Sequence, residues 1–261
     1  SMWVYPTTQV DTFPYFFSFG NNRRYLQAYG TGWPDTIRFG ITGYGGNATT
    51  DSATNAIVAD TWQHVIVTYE GGHAGDMKIY IDGSQSGGGG SARSTVYDIP
   101  DGELCTIGSY YNGTGNNWPG NICDFAVWSK ALSANEIKEV YNNGRRHNLK
   151  ALGFVKNLHA WLKMGDDSGD TYNGAIHDQM GRFHGTPVNF PAAAITVKSP
   201  PVIGGTTENL SGNLDYELPQ RTGSASNKSI IVERFSAPGG YKINSRGYLD
   251  PAHEEFSAYN A

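Results

Sequence analysis

Residues 62–83, WQHVIVTYEGGHAGDMKIYIDG, decide the fold. In the second half Met77, Ile79 and Ile81 alternate with Lys78, Tyr80 and Asp82. A period of two is the mark of a strand with one buried face. In the first half Val65, Val67 and Tyr69 share one face, and Trp62, His64, Ile66 and Thr68 share the other. Both faces carry bulk, so this strand is expected inside a sheet, not at its edge. The glycine-rich stretch 70–76 reverses the chain between the two, and Asp82-Gly83 ends the second strand with a turn dipeptide. Two antiparallel strands cannot bury their own apolar faces, so the rest of the chain must supply a second layer.

Composition agrees. The chain has 261 residues, with 34 Gly, 16 Tyr and only 16% charged residues, a bias toward strands and turns over helices. Its formal charge is −5 with no basic stripe, which argues against nucleic acid as a partner. No apolar run of about 18 residues is present, so no membrane-spanning helix is expected. The start, SMWVYP, reads as a strand already under way, and FSAYNA carries no stop signal; we expect a piece of a longer protein. Cys105 and Cys123 are compatible with a disulfide or with two buried thiols.

Outward from the hairpin, residues 1–6, 13–19, 24–30 and 36–42 read as a meander of strands. A polar loop is expected over 43–55 and an exposed hairpin loop over 83–95. ELCTIGSY (103–110) and ICDFAVW (122–128) are further strands, separated by a long polar loop at 112–121. The pattern then changes to a helix. Ser133 and Glu136 form a capping box, Ile137, Val140 and Tyr141 share a face, and Asn143-Gly144 is the expected C-cap. LHAWLKM (158–164) is a strand, followed by an Asp- and Gly-rich loop and RFHGTPVNF. Beyond about residue 195 periodicity fades, apart from a candidate strand in IIVERF (230–235).

Five motifs occur in order: W-x-H-V-x-V-T-Y, K-I-Y-I-D-G, L-x-x-I-G, G-N-I-x-D-F-x-V-W and A-L-S-x-x-E-I-x-x-V-Y-x-x-G. This order resembles the laminin-G-like, concanavalin A-like lectin/glucanase superfamily over residues 1 to about 150. The resemblance implies an all-β, two-sheet antiparallel jelly-roll sandwich, here with one short helix and an irregular C-terminal extension. AWLKMGDDSGDTYNGAIHDQMGRFHGT (160–186) is similar to the segment that usually opens such a domain. It either closes the same jelly roll in permuted order or opens a truncated second domain. The favoured division is a jelly roll over 1–195, with 153–195 closing it, and an extension or linker over 196–261. The stretch IIVERFSAPGGYKINSRGYLD also resembles extensions of phage-like virion proteins, which places the expected setting outside the cell or on a virion surface.

The fold hosts lectins, hydrolases, lyases and adhesion modules, so function must come from the site. The resemblance implies paired carboxylates on one strand for glycosidases, and no such motif occurs. Asp166, Asp167 and Asp170 lie in a loop where acids form turns. His64 and Tyr69 fall on opposite faces of one strand, and His177 and His184 lack zinc-like spacing. No enzyme is expected. The resemblance also implies a structural Ca²⁺ held by Asp178 and Asp124, although Cys123 stands where a second acid is common. A carbohydrate site needs aromatic faces for sugar rings and amides for hydroxyls. The loops that offer them carry Trp33, Tyr44, and the group Tyr110, Tyr111, Asn116, Asn117 and Trp118. The alternative for the tryptophans is that each anchors a loop on the sandwich. The expected function is therefore a non-catalytic carbohydrate-binding or adhesion module of a larger extracellular or virion protein, its partner a glycan or cell-surface polysaccharide. A structural module of an assembly is the alternative, and a glycan-cleaving enzyme the third.

Overall fold

A computed structural model of the chain describes residues 1–7, 13–30, 36–43, 46–71, 77–89, 102–113, 115–146, 148–164, 167, 169–189, 196–197, 219–220 and 229–233. The strands are β1 (Met2–Pro6), β2 (Tyr15–Phe19), β3 (Arg24–Tyr29), β4 (Thr36–Gly43), β5 (Gly46–Asp51), β6 (Gln63–Tyr69), β7 (Met77–Ile81) and β8 (Ser84–Gly88). There follow β9 (Leu104–Ile107), β10 (Gly120–Cys123), β11 (Phe125–Trp128), the helix α1 (Ala134–Tyr141), β12 (Leu158–Leu162), β13 (Gly185–Val188), β14 (Thr196–Val197), β15 (Pro219–Gln220) and β16 (Ser229–Glu233). One sheet has the order β10-β1-β6-β7-β8 and the other β13-β16-β9-β2-β3-β4-β5. The pairings within both are antiparallel.

The opening hairpin is β6 and β7, paired from Val65↔Ile81 to Tyr69↔Met77. Strand β6 lies between β1 and β7, an interior strand as its two bulky faces require. Val65 points into the main core with Met77, Ile79, Leu26, Ile37 and Ile107. Ile66 and Tyr80 point the other way, into a second apolar cluster with Ile137, Val140, Leu149, Phe154 and Trp161. That cluster is formed by α1 and the turns after it, packed on the outer face of the five-stranded sheet. The capping box is present, with Ser133 accepting from the Glu136 N–H and Glu136 accepting from the Ser133 N–H. The C-cap falls at Asn142, in left-handed conformation (φ 49°), one residue earlier than expected, because Asn142 and Asn143 both adopt positive φ.

Two loops expected from composition contain strands. Residues 46–51 of the polar stretch form β5 against β4, and Ser84–Gly88 forms β8 against β7. In both, ladder hydrogen bonding outweighs weak intrinsic propensity. The segment expected as one strand over 122–128 is broken at Asp124, whose φ of 50° turns β10 into β11. Strand β11 pairs with β12. Ala160, Leu162, Met164, Ile176 and Phe183 join the main core alongside residues of β1–β9. Strand β16 lies between β13 and β9. Cys105 and Cys123 are both buried free thiols; burial pushes the Cys105 thiol well above its ordinary value.

Candidate functional site

The strands β2, β3, β4 and β5 carry alternating residues, so one set faces the core and the other faces outward. Phe17, Leu26, Phe39 and Ala48 belong to the core. Directly paired residues share a face, and the register therefore builds the outer face row by row. Tyr15 pairs with Gln27, Gln27 with Arg38, and Arg38 with Asp51. The next row runs Thr106, Ser18, Tyr25, Gly40 and Thr49. A Cβ at Gly40 would lie 2.0 Å from the Tyr25 ring, so the missing side chain lets that ring lie flat on the sheet.

The rings on this face touch one another. Tyr15 packs against Tyr25 at 5.8 Å and edge-on to Tyr110 at 5.3 Å between centroids. Both Tyr15 and Tyr25 are buried, and burial pushes the Tyr15 hydroxyl up to about 12 and the Tyr25 hydroxyl up as well. They are therefore neutral phenols near pH 7. Above them, Phe13 stacks on Tyr29 at 5.4 Å with 24° between planes. The Arg38 guanidinium lies 3.3 Å from the Tyr29 ring centroid, and its Nε and Nη2 donate to the two Asp51 oxygens at 2.7 Å each. The hydrogen bonds to Asp51 hold the Arg38 pKa up. Phe13 is 37% exposed and sits at φ 58°. A bulky side chain in the left-handed region is strained, and such strain persists where the surroundings enforce it. Phe13–Tyr29–Arg38–Asp51 is thus an ordered stack ending in an exposed ring.

The expected site loops divide. Tyr110 belongs to the outer face through Tyr15. Asn116 borders it: its backbone carbonyl accepts from the Tyr15 N–H at 2.8 Å, and its side chain donates to the Phe13 carbonyl at 3.3 Å. Tyr111 lies at the head of the short turn Tyr111–Gly113, half-buried. Trp118 and Asn117 are corrections. Trp118 is 4% exposed, packs tilted against Phe16 at 4.1 Å between centroids inside the main core and donates its indole N–H to the Asn121 carbonyl at 3.3 Å. Asn117 is 2% exposed. Neither offers a surface to a ligand, because the 115–121 segment folds inward to plug the core. Trp33 and Tyr44 lie outside the described residues. The sequence reasoning missed Phe13, Tyr29, Arg38 and Asp51. The alternation in RYLQAY and TIRFGIT was the signal that could have found Tyr29 and Arg38.

The two residues expected to hold a metal, Asp178 and Asp124, are both hydrogen-bonded within the fold. Asp178 accepts four backbone N–H bonds, from Trp161 (2.7 Å) and Met180 (3.0 Å) on one oxygen and from Arg182 (2.9 Å) and Phe183 (3.0 Å) on the other. Asp124 forms a buried ion pair with Arg146 and accepts from the Trp161 indole at 2.9 Å. Their oxygens hold the chain together. The acidic group the structure does assemble is Asp167, Asp170 and His177, with ligand-type atoms within 4.8 Å of one another. Asp170 accepts from the His177 N–H at 2.6 Å and lies 3.2 Å from its Nδ1. Asp167 accepts from Gln179 at 2.8 Å and from the Gly169 N–H at 2.8 Å, and these bonds, with Gln179 the leading cause, lower its pKa. The group is cross-linked by its own hydrogen bonds.

These elements make a two-sheet antiparallel sandwich whose seven-stranded sheet carries aromatic and polar residues on its outer side. The family model for Laminin_G_3, of the concanavalin A-like lectin/glucanases superfamily, matches residues 1–138, and the chain belongs to this family. None of the curated proteins matches the chain.

Proposed function

We propose that the protein is a non-catalytic carbohydrate-binding or adhesion module, and that the outer face of β2–β5 is where it holds the glycan. The observation that carries this reading is the exposed Phe13 ring fixed on the Tyr29–Arg38–Asp51 stack. An exposed, immobilised aromatic face suits the C–H face of a pyranose, and ordering it beforehand lowers the entropy lost on binding. Asn47, Thr49 and the Arg38–Asp51 pair lie in the adjoining rows and supply donors and acceptors for hydroxyls. Membership of the superfamily supports a carbohydrate-related role in general. The non-catalytic part of the reading draws support from Asp51, whose two oxygens are both engaged by Arg38 and so are poorly placed for nucleophilic or acid–base work. Recognition of this kind is weak per site and gains strength from several copies in a larger extracellular or virion assembly.

The test is a glycan array followed by calorimetry on the best hit, with the wild type and Phe13→Ala side by side. Binding that Phe13→Ala removes supports the face. Binding to no glycan sinks the reading in favour of a structural module, and sugar release from a polysaccharide panel sinks it in favour of an enzyme.

A further inference from the structure

The inner side of the same strands borders a second space. A cleft of about 400 Å³ opens between the two sheets, on the opposite side of the seven-stranded sheet from Phe13 and Tyr29. Its walls are Phe17, Phe19 and Phe39 from one sheet, and Val67, Phe125 and Val127 from the other side. Phe17, Phe19 and Phe125 form a cage, with centroids 5.2, 5.9 and 6.4 Å apart. The volume falls in the range of about 300–1,000 Å³ that holds small organic ligands, and such walls offer a sugar's hydroxyls almost nothing.

The mouth has a sign. Among the described residues that line the cleft, the charged ones are Arg24 and Lys130, both cationic, and Ser129 and Lys130 are exposed there. Lys130 shares its charge with Glu136 at 2.6 Å. Arg24 lies 5.9 Å over the Tyr69 ring, and Tyr69 is itself a wall residue. The Tyr69 hydroxyl is buried and makes no hydrogen bond among the described residues. An apolar slot with a guanidinium at its rim matches a molecule with a hydrocarbon tail and a carboxylate head.

We propose that this cleft binds an anionic amphiphile of the fatty-acid class, its tail along the wall of Phe17, Phe19, Val67 and Val127 and its carboxylate at Arg24. The site is independent of the glycan face, and loss of one leaves the other intact.

Dodecanoate and 1-dodecanol, identical in tail and different in charge, are the probes, each titrated by calorimetry below its aggregation limit. Dodecanoate is expected to bind about tenfold more tightly than 1-dodecanol, as a charge-assisted contact to Arg24 implies. In Arg24→Gln that preference should fall to about twofold or less. Val127→Trp fills the slot and should weaken both probes about tenfold or more, with circular dichroism reporting whether the sandwich is intact. Equal affinity of the two probes for the wild type overturns the proposal. So does a preference that survives Arg24→Gln, or the absence of saturable binding. Should Val127→Trp misfold, Arg24→Gln, which changes only the rim, carries the decision.

Discussion

The closing segment around Asp178 and the outer face around Phe13 are built from the same residue types and use them oppositely. Asp178 is 4% exposed and its carboxylate accepts four backbone N–H bonds. Asp51, on the outer face, takes both its bonds from Arg38 among the described residues, and its side chain is 38% exposed. Trp118 lies in the core against Phe16, while Phe13 holds a ring at the surface in a strained conformation. What separates structural residues from available ones is how fully the fold has already engaged their faces and oxygens.

That contrast breaks most sharply at Asp178. Asp178→Ala leaves four buried or half-buried N–H groups without their acceptor, and stability is expected to fall by about 4 kcal/mol or more. At about 2–4 °C per kcal/mol for a domain of this size, the melting midpoint should drop by about 10 °C. Thermal denaturation followed by circular dichroism measures it, and a drop under 3 °C (roughly 1 kcal/mol) would mean that the carboxylate is available after all.

The second contrast pairs two aromatics. Trp118→Ala opens a core cavity and should cost about 3–5 kcal/mol, while the glycan affinity of the folded fraction stays within about twofold of wild type. Phe13→Ala should do the reverse: a midpoint within about 2 °C of wild type and a glycan affinity lower by about tenfold. Calorimetry and melting on both variants check the pair. Exchange of the two outcomes would return the site to the 109–121 loop. Arg38→Gln removes the cation over Tyr29 and the partner of Asp51. It should lower glycan affinity about three- to fivefold and cost under 1 kcal/mol, because exposed ion pairs contribute little.

These contrasts mark what could be read from the chain alone. The sandwich was legible because β-strand burial repeats every two residues, and Val65/Ile66 or Leu26/Gln27 declare their faces without any partner in view. The capping box at Ser133 and Glu136 was legible because it is local. Trp118 was not, since a Trp-Pro loop has the same composition whether it caps the core or stands in solvent. Only the packing of Phe16 beneath it decides. Asp178 was expected from the resemblance to hold a metal, and its four N–H donors, from Trp161, Met180, Arg182 and Phe183, come together only after folding. Phe13 was hidden for a further reason: its exposure follows from a positive φ that no propensity scale anticipates for phenylalanine.

Asp82 stands between the two kinds of carboxylate and gives the smallest expected effect. It ends β7 at φ 48° and accepts the His64 N–H at 2.8 Å, yet it is not saturated as Asp178 is. Burial raises its pKa, and the hydrogen bonds from the His64 N–H and the Gln63 side chain only partly offset that. A carboxyl whose folded pKa lies above its unfolded value binds its proton more tightly in the native state. Stability from this group is therefore fully present below the unfolded value, near 3.9, and is lost as pH rises through the raised folded value. Tyr141 is coupled to it: burial first, and then the Asp82 charge, raise the Tyr141 hydroxyl. Asp82→Asn keeps an acceptor for His64 and removes the charge. Its stability advantage over wild type should grow as pH is raised across that window and then level off. Urea melts of the two proteins at stepped pH measure the difference, and an advantage that shrinks with rising pH would show that the Asp82 charge is compensated as completely as that of Asp178.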